Sequence, residues 1–299
     1  MNMKPKVLIL LATYNGEKYL REQLDSIFNQ KDVDVSIYAN DDGSSDKTLE
    51  ILNEYAKDHQ LVVHSHGEPH NFTYNFIDAA FDNKDSDFDY YAFSDQDDFW
   101  KEDKLISAIK LLEESKKDVY SSNLTIVDEN LKGEDLMNDD SIKKCNKYNA
   151  VFENIATGCT IVFNKKFLTL LTKYYPENIY LHDYWVYLLG IYTDSYIYDS
   201  RSFIGYRQHG NNQIGDASKK GMKTYYKKFK ASKGHQRGLC QQLLKGYRED
   251  IGEENALIVT PMAEYKKKFS YRWKLMFSRK YKKRNHNFFK FVKLFLNKY

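Results

Sequence analysis

The feature that most constrains the fold is an alternation of short apolar runs and amphipathic segments through the first hundred residues. Leu20, Leu24 and Ile27, for example, recur at helical spacing inside the segment 17–30, which is typical of a helix with one apolar face. Strand–helix–strand alternation favours right-handed crossovers and a mostly parallel sheet covered on both faces. The sequence therefore predicts an α/β fold, with early strands at Val7–Ala12, Val33–Ala39, Leu61–His64 and Tyr90–Phe93.

Beyond residue 115 the alternation loosens, and the remaining elements are predicted one by one. There we expect strands at Val119–Asp128 and Cys159–Phe163, one or two more strands within Tyr196–Arg207, and helices at 166–174 and 184–192. Before residue 115 the predicted helices are 46–56, capped by Ser45, 71–81 and 104–114. Clustered Gly, Asn and Ser and a change of charge sign place a boundary near Gly210–Gly221. The predicted domains are 1–215, with halves of about 1–115 and 116–215, and a basic helical extension at 216–299.

The formal net charge of +3 hides an asymmetry along the chain. Residues 1–215 hold 22 basic and 36 acidic side chains, whereas residues 216–299 hold 23 and 6. Such asymmetry suggests that the basic part meets an anionic surface. Three cysteines without CxxC spacing indicate neither disulfides nor zinc, and no early apolar run is long enough for a signal peptide or a membrane span. We therefore expect a cytoplasmic protein, peripheral at the inner face of the plasma membrane.

Polar motifs follow three of the predicted strands directly: Tyr14-Asn15, Asp41-Asp42 and Asp95-Gln96-Asp97-Asp98. Ligands of open α/β sheets bind in the crevice outside the carboxyl ends of the strands. Acidic and aromatic groups brought to one such edge are the layout of a nucleotide site. Because the chain has neither GxGxxG nor GxxxxGK[ST], a dinucleotide or Walker-type phosphate cradle is disfavoured.

The acidic cluster Asp95–Asp98 can neutralise a diphosphate through a metal ion. Clustered carboxylates repel one another without a cation, and they are hard oxygen donors suited to Mg²⁺ or Mn²⁺. An EF-hand is excluded, since Phe99, Trp100 and Ile106 stand where that loop needs oxygen ligands and Gly. The alternative is a solvated acidic loop that caps the helix beginning at Lys104.

The Asp41-Asp42 pair also has two interpretations. Asp-Asp-Gly-Ser is ordinary turn composition, so that the pair can be purely structural. In the functional interpretation, one carboxylate accepts hydrogen bonds from a nucleotide base while Tyr14 stacks on its ring; taken alone, Tyr14 is more often a packing residue.

In their order along the chain, these motifs resemble those of the family 2 glycosyltransferases, which have a GT-A fold. The segments that carry the resemblance are Val7–Gly16, Asn40–Thr48, Ser94–Trp100, Thr157–Phe163, His182–Trp185 and Tyr206–Asn212. The ordered set, which covers roughly residues 5–212, is far more specific than any single motif. Within the family, the chain looks most like the bacterial rhamnosyltransferases.

The resemblance implies donor and metal positions residue by residue. The matched nucleotide-binding positions are Ala12, Tyr14, Asp42 and Asp95, with Asp42 on the base and Asp95 on the ribose. Asp97 matches the metal-binding residue of the family's D-x-D motif, and His209 matches a position near the metal and the diphosphate. The implied cofactor is a divalent metal, Mn²⁺ or Mg²⁺.

Asp183 matches the catalytic base of the family. Its alternative interpretation is a helix N-cap, because it precedes a helical apolar segment. Many relatives have Glu where this chain has His182, and the rhamnosyltransferase-like members often have His. The positions that border the acceptor or support the metal are Asp98, Thr157, Gly158, His182, Trp185 and Arg207.

The implied reaction is an inverting single displacement, in which a metal stabilises the departing nucleoside diphosphate and Asp183 takes the proton of the incoming hydroxyl. The predicted donor is dTDP-rhamnose. The predicted acceptor is a lipid-linked glycan in bacterial surface polysaccharide synthesis. Two alternatives are a UDP-hexose-dependent transferase of the same fold and a catalytically silent nucleotide-sugar-binding protein. No nucleic-acid partner is expected, because the chain contains no recognisable binding motif.

Aromatic stripes among lysines mark the basic extension. Thr260 and Pro261 are predicted to begin a helix whose stripe is Met262, Tyr265, Phe269, Trp273 and Met276, and a second stripe is Phe288, Phe291, Val292 and Phe295. Basic amphipathic helices with aromatic faces lie in the interface of anionic membranes. The alternative is that the stripes pack against the catalytic domain or in an oligomer.

Overall fold

The computed structural model describes residues 3–67, 71–208, 234–284 and 287–299, and they form two compact units. Unit 1 comprises Met1–Met137, Ala156–Lys173 and Ser195–Gln208, and unit 2 comprises Asn138–Ile155, Tyr174–Asp194 and His209–Tyr299. Two segments from the middle of the chain thus pack with the C-terminal helices. The boundary predicted near Gly210–Gly221 lies outside the described residues.

Unit 1 is built on a mixed sheet. Its strands are β1 Lys6–Thr13, β2 Asp34–Asp41, β3 Leu61–Ser65, β4 Tyr90–Ser94, β5 Phe99–Trp100, β6 Val119–Val127, β7 Asp135–Leu136, β8 Val162–Asn164 and β9 Tyr196–Arg207. The spatial order is β3-β2-β1-β4-β8-β6-β9-β5, and β7 pairs with β6. Neighbours among β3, β2, β1 and β4 are parallel, as are β6 and β9, whereas β8 is antiparallel to both of its neighbours. The predicted mostly parallel α/β sheet is confirmed for the first half of the chain.

Helices cover this sheet, which explains the sequence pattern of the central strands. The helices of unit 1 are α1 Leu20–Phe28, α2 Thr48–Tyr55, α3 Phe72–Asp82, α4 Lys104–Ser115 and α6 Lys165–Leu171. Val7–Leu11 of β1 are all buried, because a parallel strand covered on both faces needs a continuous apolar run. The apolar faces of α1 and α4 join the same core through Leu20, Leu24, Leu105 and Ile109.

Two local predictions for unit 1 were wrong, and two short strands were not predicted. Ser45 does not cap α2: the residue before the helix is Lys47, and Asp46 accepts from the Thr48 amide at 2.9 Å instead. The strand expected from Cys159 begins only at Val162, because residues 158–160 form a 3₁₀ turn. The two-residue strands β5 and β7 have no signal of their own in the sequence.

Unit 2 is helical in the part that the structure describes. Its helices are α5 Lys147–Ala150, α7 His182–Tyr192, α8 His235–Glu264, α9 Phe269–Phe277 and α10 Asn287–Phe295. Backbone angles leave the helical region inside α8 at Tyr247 and at Gly252, where φ is +73°. Pro261 lies within α8, so the prediction that Thr260 and Pro261 begin a helix was wrong. Among the described residues, no helix combines the length and the apolar content needed to cross a membrane.

Candidate active site

Three polar loops meet at one edge of the unit 1 sheet. β1 lies between β2 and β4 and is parallel to both, with Thr13 opposite Asp41 and Leu11 opposite Ser94. The loops that follow these strands therefore emerge side by side at the carboxyl edge, where α/β sheets bind ligands. This arrangement places the residues predicted for nucleotide and metal binding in unit 1 next to one another.

The loop after β1 is fixed to the loop after β2 by side-chain hydrogen bonds. Asn15 has a left-handed φ of +48°, a conformation that asparagine tolerates better than most residues. Its Oδ1 accepts from the Ser45 amide at 2.8 Å, and its own amide donates to Ser44 Oγ at 2.9 Å. The Gly16 amide donates to Thr48 Oγ1 at 2.8 Å. Both loops are therefore held as one structure.

Gln96 binds the same β1 loop to the acidic loop. The Tyr14 amide donates to Gln96 Oε1 at 2.8 Å, and Gln96 Nε2 donates to the Tyr14 carbonyl at 3.0 Å. Gly16 permits the close approach, since a Cβ there would lie 2.2 Å from Gln96 Oε1. The Tyr14 side chain stays 40% exposed. The backbone of Tyr14 is thus fixed while its ring is left accessible to a stacking partner.

The two aspartates after β2 have different surroundings. Asp41 is fully buried, and its carboxylate accepts from Thr13 Oγ1 at 2.9 Å, from the Ser44 amide at 2.8 Å and from Ser44 Oγ at 2.6 Å. It therefore stabilises the turn, as the structural interpretation of the pair requires. Asp42 is also buried, and its amide donates to the Thr13 carbonyl at 2.8 Å; its role on the base stays a prediction. Ala12 is half-buried on β1, opposite Asn40 of β2.

The acidic loop after β4 contains the candidate metal ligands. Asp95 and Asp97 are half-buried, whereas Asp98 is completely buried. Asp95, Asp98 and Cys159 each offer a donor atom, and these atoms lie within 4.8 Å of one another. Asp98 Oδ2 has no hydrogen-bond partner in the described part of the chain. Burial, and then the charges of Asp97 and Asp95, raise the pKa of the Asp98 carboxyl well above its usual range.

These residues fit a hard divalent cation. A buried carboxylate oxygen without a partner is costly, and a cation bound beside it would supply the missing interaction. Carboxylates suit Mg²⁺ and Mn²⁺, while a thiol suits softer metals. Cys159 is buried at this site, and as a soft thiol donor it is a poor ligand for such a cation. The sequence predicted the metal on Asp97, and the geometry adds the carboxylates of Asp95 and Asp98 as candidates.

A buried lysine lies behind the acidic loop. Lys104 is almost fully buried at the start of α4, with its Nζ 3.4 Å from the centroid of the Trp100 ring. Burial lowers the pKa of Lys104 to about 7, although Cys159 and Asp98 favour its charged form. Its Nζ has no hydrogen-bond partner among the described residues. In the sequence, Lys104 marks only the beginning of a predicted helix.

Arg207 supports the acidic loop from inside unit 1. Its Nε donates to the Asp97 carbonyl at 2.9 Å, and its amide donates to Asp98 Oδ1 at 3.4 Å. The other guanidinium nitrogens donate to the Glu129 carbonyl and the Glu22 carboxylate, and the group lies 4.4 Å from the centroid of the Tyr19 ring. Because Arg207 is almost fully buried, it is placed to support the loop of the candidate metal ligands rather than to contact an acceptor.

Thr157 and Gly158, predicted near the acceptor, begin the 3₁₀ turn before β8. The Thr157 carbonyl accepts from the Thr160 amide at 2.9 Å and from Thr160 Oγ1 at 2.7 Å. Gly158 is buried. This turn brings Cys159 to the acidic cluster, a proximity that the sequence does not predict, because Cys159 has only the pattern of a strand residue.

The other predicted site residues belong to unit 2. Asp183 is buried in the first turn of α7, where the positive end of the helix dipole favours an acidic residue. The residue at the N-cap is Leu181, so the interpretation of Asp183 as an N-cap was wrong. Burial lowers the pKa of His182 to about 3, which makes the imidazole neutral. Trp185 is completely buried and packs on Tyr247 with ring centroids 5.8 Å apart. His209 lies outside the described residues.

Comparisons with known proteins agree on one family. Residues 8–186 match the sequence model described as Glycosyl transferase family 2. The dTDP-rhamnosyl transferase RfbG of Shigella flexneri is 35% identical to this chain over 215 residues, which cover 69% of this chain and 73% of that protein.

Solved structures agree on the fold. TarS from S. aureus (residues 1–349, in complex with UDP) has a TM-score of 0.59 at 18% identity, covering 91% of this chain and 75% of that one. The mannosyltransferase PcManGT from Pyrobaculum calidifontis, in complex with GDP-Man and Mn²⁺, has a TM-score of 0.56 at 14% identity, covering 100% and 89%. At such identities the likeness concerns the fold alone, and it confirms the expected GT-A architecture.

Proposed function

This chain belongs to glycosyl transferase family 2, and on that premise we propose that it transfers L-rhamnose from dTDP-rhamnose to a saccharide acceptor in bacterial surface polysaccharide synthesis. The observation that supports the proposal is the proximity of Asp95 and Asp98 at the sheet edge, in the loop that also holds Asp97 and that is hydrogen-bonded through Gln96 to the backbone of the partly exposed Tyr14. The choice of donor rests on the similarity to the Shigella rhamnosyltransferase.

For the nucleotide, the proposed contacts lie on the loops after β1, β2 and β4. The Tyr14 ring stacks on the base and Asp42 accepts its N–H groups, while Asp95 accepts from the ribose and Ala12 borders the pocket. The fixed backbone of Tyr14 supports this proposal, since a preordered stacking residue loses little freedom when the nucleotide binds.

For the metal, the proposed ligands are Asp97 together with the carboxylates of Asp95 and Asp98, and His209 is a further candidate. A divalent cation held there supplies Lewis-acid stabilisation of the departing diphosphate. Arg207 holds the backbone of this loop through the Asp97 carbonyl, which keeps the carboxylates oriented. We propose Mn²⁺ or Mg²⁺, because the usable donors are oxygens.

For proton transfer, we propose Asp183 as the general base that takes the proton of the acceptor hydroxyl. The reaction is then a single displacement with inversion at the anomeric carbon. The neutral imidazole of His182 adds no positive charge next to this carboxylate. Thr157 and Gly158 are proposed to border the acceptor.

The acceptor is proposed to be a glycan carried on a lipid, so the enzyme works at the inner face of the plasma membrane. The basic C-terminal residues are proposed to make the membrane contact.

A panel of nucleotide sugars assayed with Mn²⁺ or Mg²⁺ tests the proposal. We expect binding and slow hydrolysis of dTDP-rhamnose in preference to UDP-hexoses. Asp97→Asn and Asp183→Asn should each lower transfer by about 10²–10⁴-fold, and the exposed Asp87→Asn serves as the matched control. Full activity of either site variant would refute its assigned role, and failure to bind any nucleotide sugar would refute the function.

A further inference from the structure

The structure assigns a membrane-binding surface to one side of helices α9 and α10. This surface, called here the aromatic ridge, consists of Phe269, Trp273 and Phe277 of α9 and Phe288, Phe291 and Phe295 of α10. We infer that it inserts into the headgroup region of an anionic bilayer. The inference rests on the proposed function, because a lipid-linked acceptor requires the enzyme to lie at a membrane, but binding to vesicles can be measured without sugar transfer.

The ridge is exposed and continuous. Phe269, Trp273, Phe288 and Phe295 are 70%, 56%, 73% and 65% exposed. The Trp273 and Phe277 rings are 4.3 Å apart between centroids, and Phe277 contacts Phe291 across the two helices at 5.6 Å. Single exposed apolar residues are ordinary, but a contiguous group of large apolar side chains marks an interaction site.

The exposure does not come from loosely attached helices. On their other side, Leu275 of α9 and Leu294 of α10 are completely buried in unit 2. The Tyr281 hydroxyl, between the two helices, donates to the Ile258 carbonyl of α8 at 2.9 Å, and the Tyr265 hydroxyl donates to the Tyr299 carbonyl at 2.8 Å. The ridge is therefore the outer side of a packed platform.

This platform divides the stripes that the sequence predicted. Met262 and Tyr265 were expected on one stripe with Phe269 and Trp273, yet both are completely buried. Packing inside unit 2 therefore explains Met262 and Tyr265, and it leaves the ridge residues of α9 unexplained. A separate partner is needed for the ridge.

The charge around the ridge selects an anionic partner. Residues 265–299 contain 13 Lys and Arg and no Asp or Glu. Lys267, Lys274 and Lys280 are exposed near the ridge helices, whereas Lys290 is buried and donates to the Leu275 and Tyr281 carbonyls. Lys and Arg side chains near an anionic leaflet are attracted to it and strengthen binding.

A membrane accommodates this combination better than the other partners do. A second copy pairing ridge to ridge would bring two sets of cations together, which like-charge repulsion opposes. Nucleic acid would also satisfy the cations, but the chain contains no recognisable nucleic-acid-binding motif. The interface of an anionic bilayer takes cations at the headgroups and aromatic rings just beneath them.

Trp273 provides a direct measurement. The chain has three tryptophans, and Trp100 and Trp185 are almost completely buried in the folded protein. Changes in tryptophan fluorescence on adding vesicles therefore report on the ridge. With the full chain, we expect a blue shift and protection from acrylamide on vesicles that are roughly one third phosphatidylglycerol, and neither change on phosphatidylcholine alone. The effect should weaken as salt is added.

Paired variants separate the ridge from general surface hydrophobicity. Phe269→Ser with Phe288→Ser removes two ridge side chains, and Val62→Ser with Leu257→Ser removes two apolar side chains of 62% and 59% exposure elsewhere. We expect the ridge variant to bind phosphatidylglycerol vesicles about tenfold or more weakly in sedimentation. The control pair should bind like the wild type, and both should hydrolyse the donor without vesicles at the wild-type rate.

Four results would overturn the inference. The first is that the wild type does not bind anionic vesicles, and the second is that the ridge variant binds them as well as the wild type does. The third is that the control pair loses as much binding as the ridge variant. The fourth is that the wild type self-associates or binds oligonucleotides without vesicles and that the ridge variant abolishes this. If no nucleotide sugar is bound or turned over while vesicles still bind through the ridge, the proposed function fails and the membrane surface stands.

Discussion

The two units of this glycosyltransferase treat their charged side chains in opposite ways. Unit 1 holds 30 acidic and 19 basic residues, and it buries several of them at the sheet edge: Asp41, Asp98, Lys104 and Arg207. Unit 2 holds 26 basic and 12 acidic residues, and most of the described cations of its last two helices stay exposed or half-buried. Buried charges keep a site in one geometry, whereas exposed charges form a surface for a partner.

The comparison also shows two ways to bury a cation. Arg207 is paired with a carboxylate and with backbone carbonyls from three distant segments. Lys290 donates to two carbonyls within its own helical platform. Arg207 thus connects three separate segments of unit 1, whereas Lys290 stabilises only the contact between neighbouring C-terminal segments.

Removing Arg207 should have the largest effect. Arg207→Met leaves two carbonyls and the half-exposed Glu22 carboxylate without their donor, so we expect a loss of about 2–4 kcal/mol of unfolding free energy. Arg207→Lys should lose less stability. It should still raise the donor KM and weaken metal binding, because one ammonium group cannot replace the several N–H donors of the planar guanidinium. Urea unfolding and metal titration check this. Wild-type metal affinity in a folded Arg207→Lys protein would contradict the positioning role.

Neutralising Asp98 should stabilise the metal-free protein. The pKa of Asp98 is raised in the folded protein. Its carboxylate therefore destabilises the folded state at pH values above about 4, which is the pKa of this group in the unfolded chain. Asp98→Asn should therefore add about 1–3 kcal/mol at pH 7, and the gain should shrink as the pH falls and vanish below about 4, where the carboxyl becomes protonated in both states. Thermal unfolding in EDTA across this range measures it, with exposed Asp87→Asn as control. Destabilisation at pH 7 would contradict the burial argument.

Replacing Lys290 of unit 2 should change the stability less, and only at alkaline pH. Burial lowers its pKa to about 8 from 10.5, so the unfolded chain binds more protons between these values and stability rises with pH there. In Lys290→Met, the unfolding free energy should rise by about 1–2 kcal/mol less than in the wild type over this pH range. The difference between the two unfolding curves isolates it from other lysines. Parallel curves between pH 8 and 10.5 would show that Lys290 is effectively solvated.

The smallest effect is expected at Gly16. A Cβ there would press on the Gln96 amide, which can move because it is the end of a flexible side chain. Gly16→Ala should cost about 1 kcal/mol or less and raise the donor KM several-fold through displacement of the Tyr14 loop. Steady-state kinetics and thermal unfolding check this. An unchanged donor KM would show that the hydrogen bonds between Gln96 and Tyr14 do not affect donor binding.

Much of unit 1 could be predicted because its signals are local. The continuous apolar run at Val7–Ala12 and the motifs at the ends of β2 and β4 each reflect one strand and its turn. The sequence also predicted Asp95, Asp97 and Asp98 as one cluster, because they are neighbours in the chain. The division of roles between Asp41 and Asp42 needed the structure, since both fit an ordinary turn.

The rest depended on contacts across long separations. Arg207 reaches Glu22 over 185 positions and Asp97 over 110, and no periodicity reports such a contact. Pro261 continues α8 instead of opening a helix, because a buried helical context outweighed the local start signal. The roles of Asp183 and His182 remain predictions from the family resemblance.

The paired hydrogen bonds between Gln96 and the backbone of Tyr14 have a consequence for engineering. The side-chain amide of Gln96 imitates a peptide group, and it pairs with residue 14 as a neighbouring strand would. The middle position of the D-x-D motif is therefore not a spacer here. Exchanging the donor loops of this enzyme for those of a relative should succeed only if residues 14–16 and 94–98 are transplanted together.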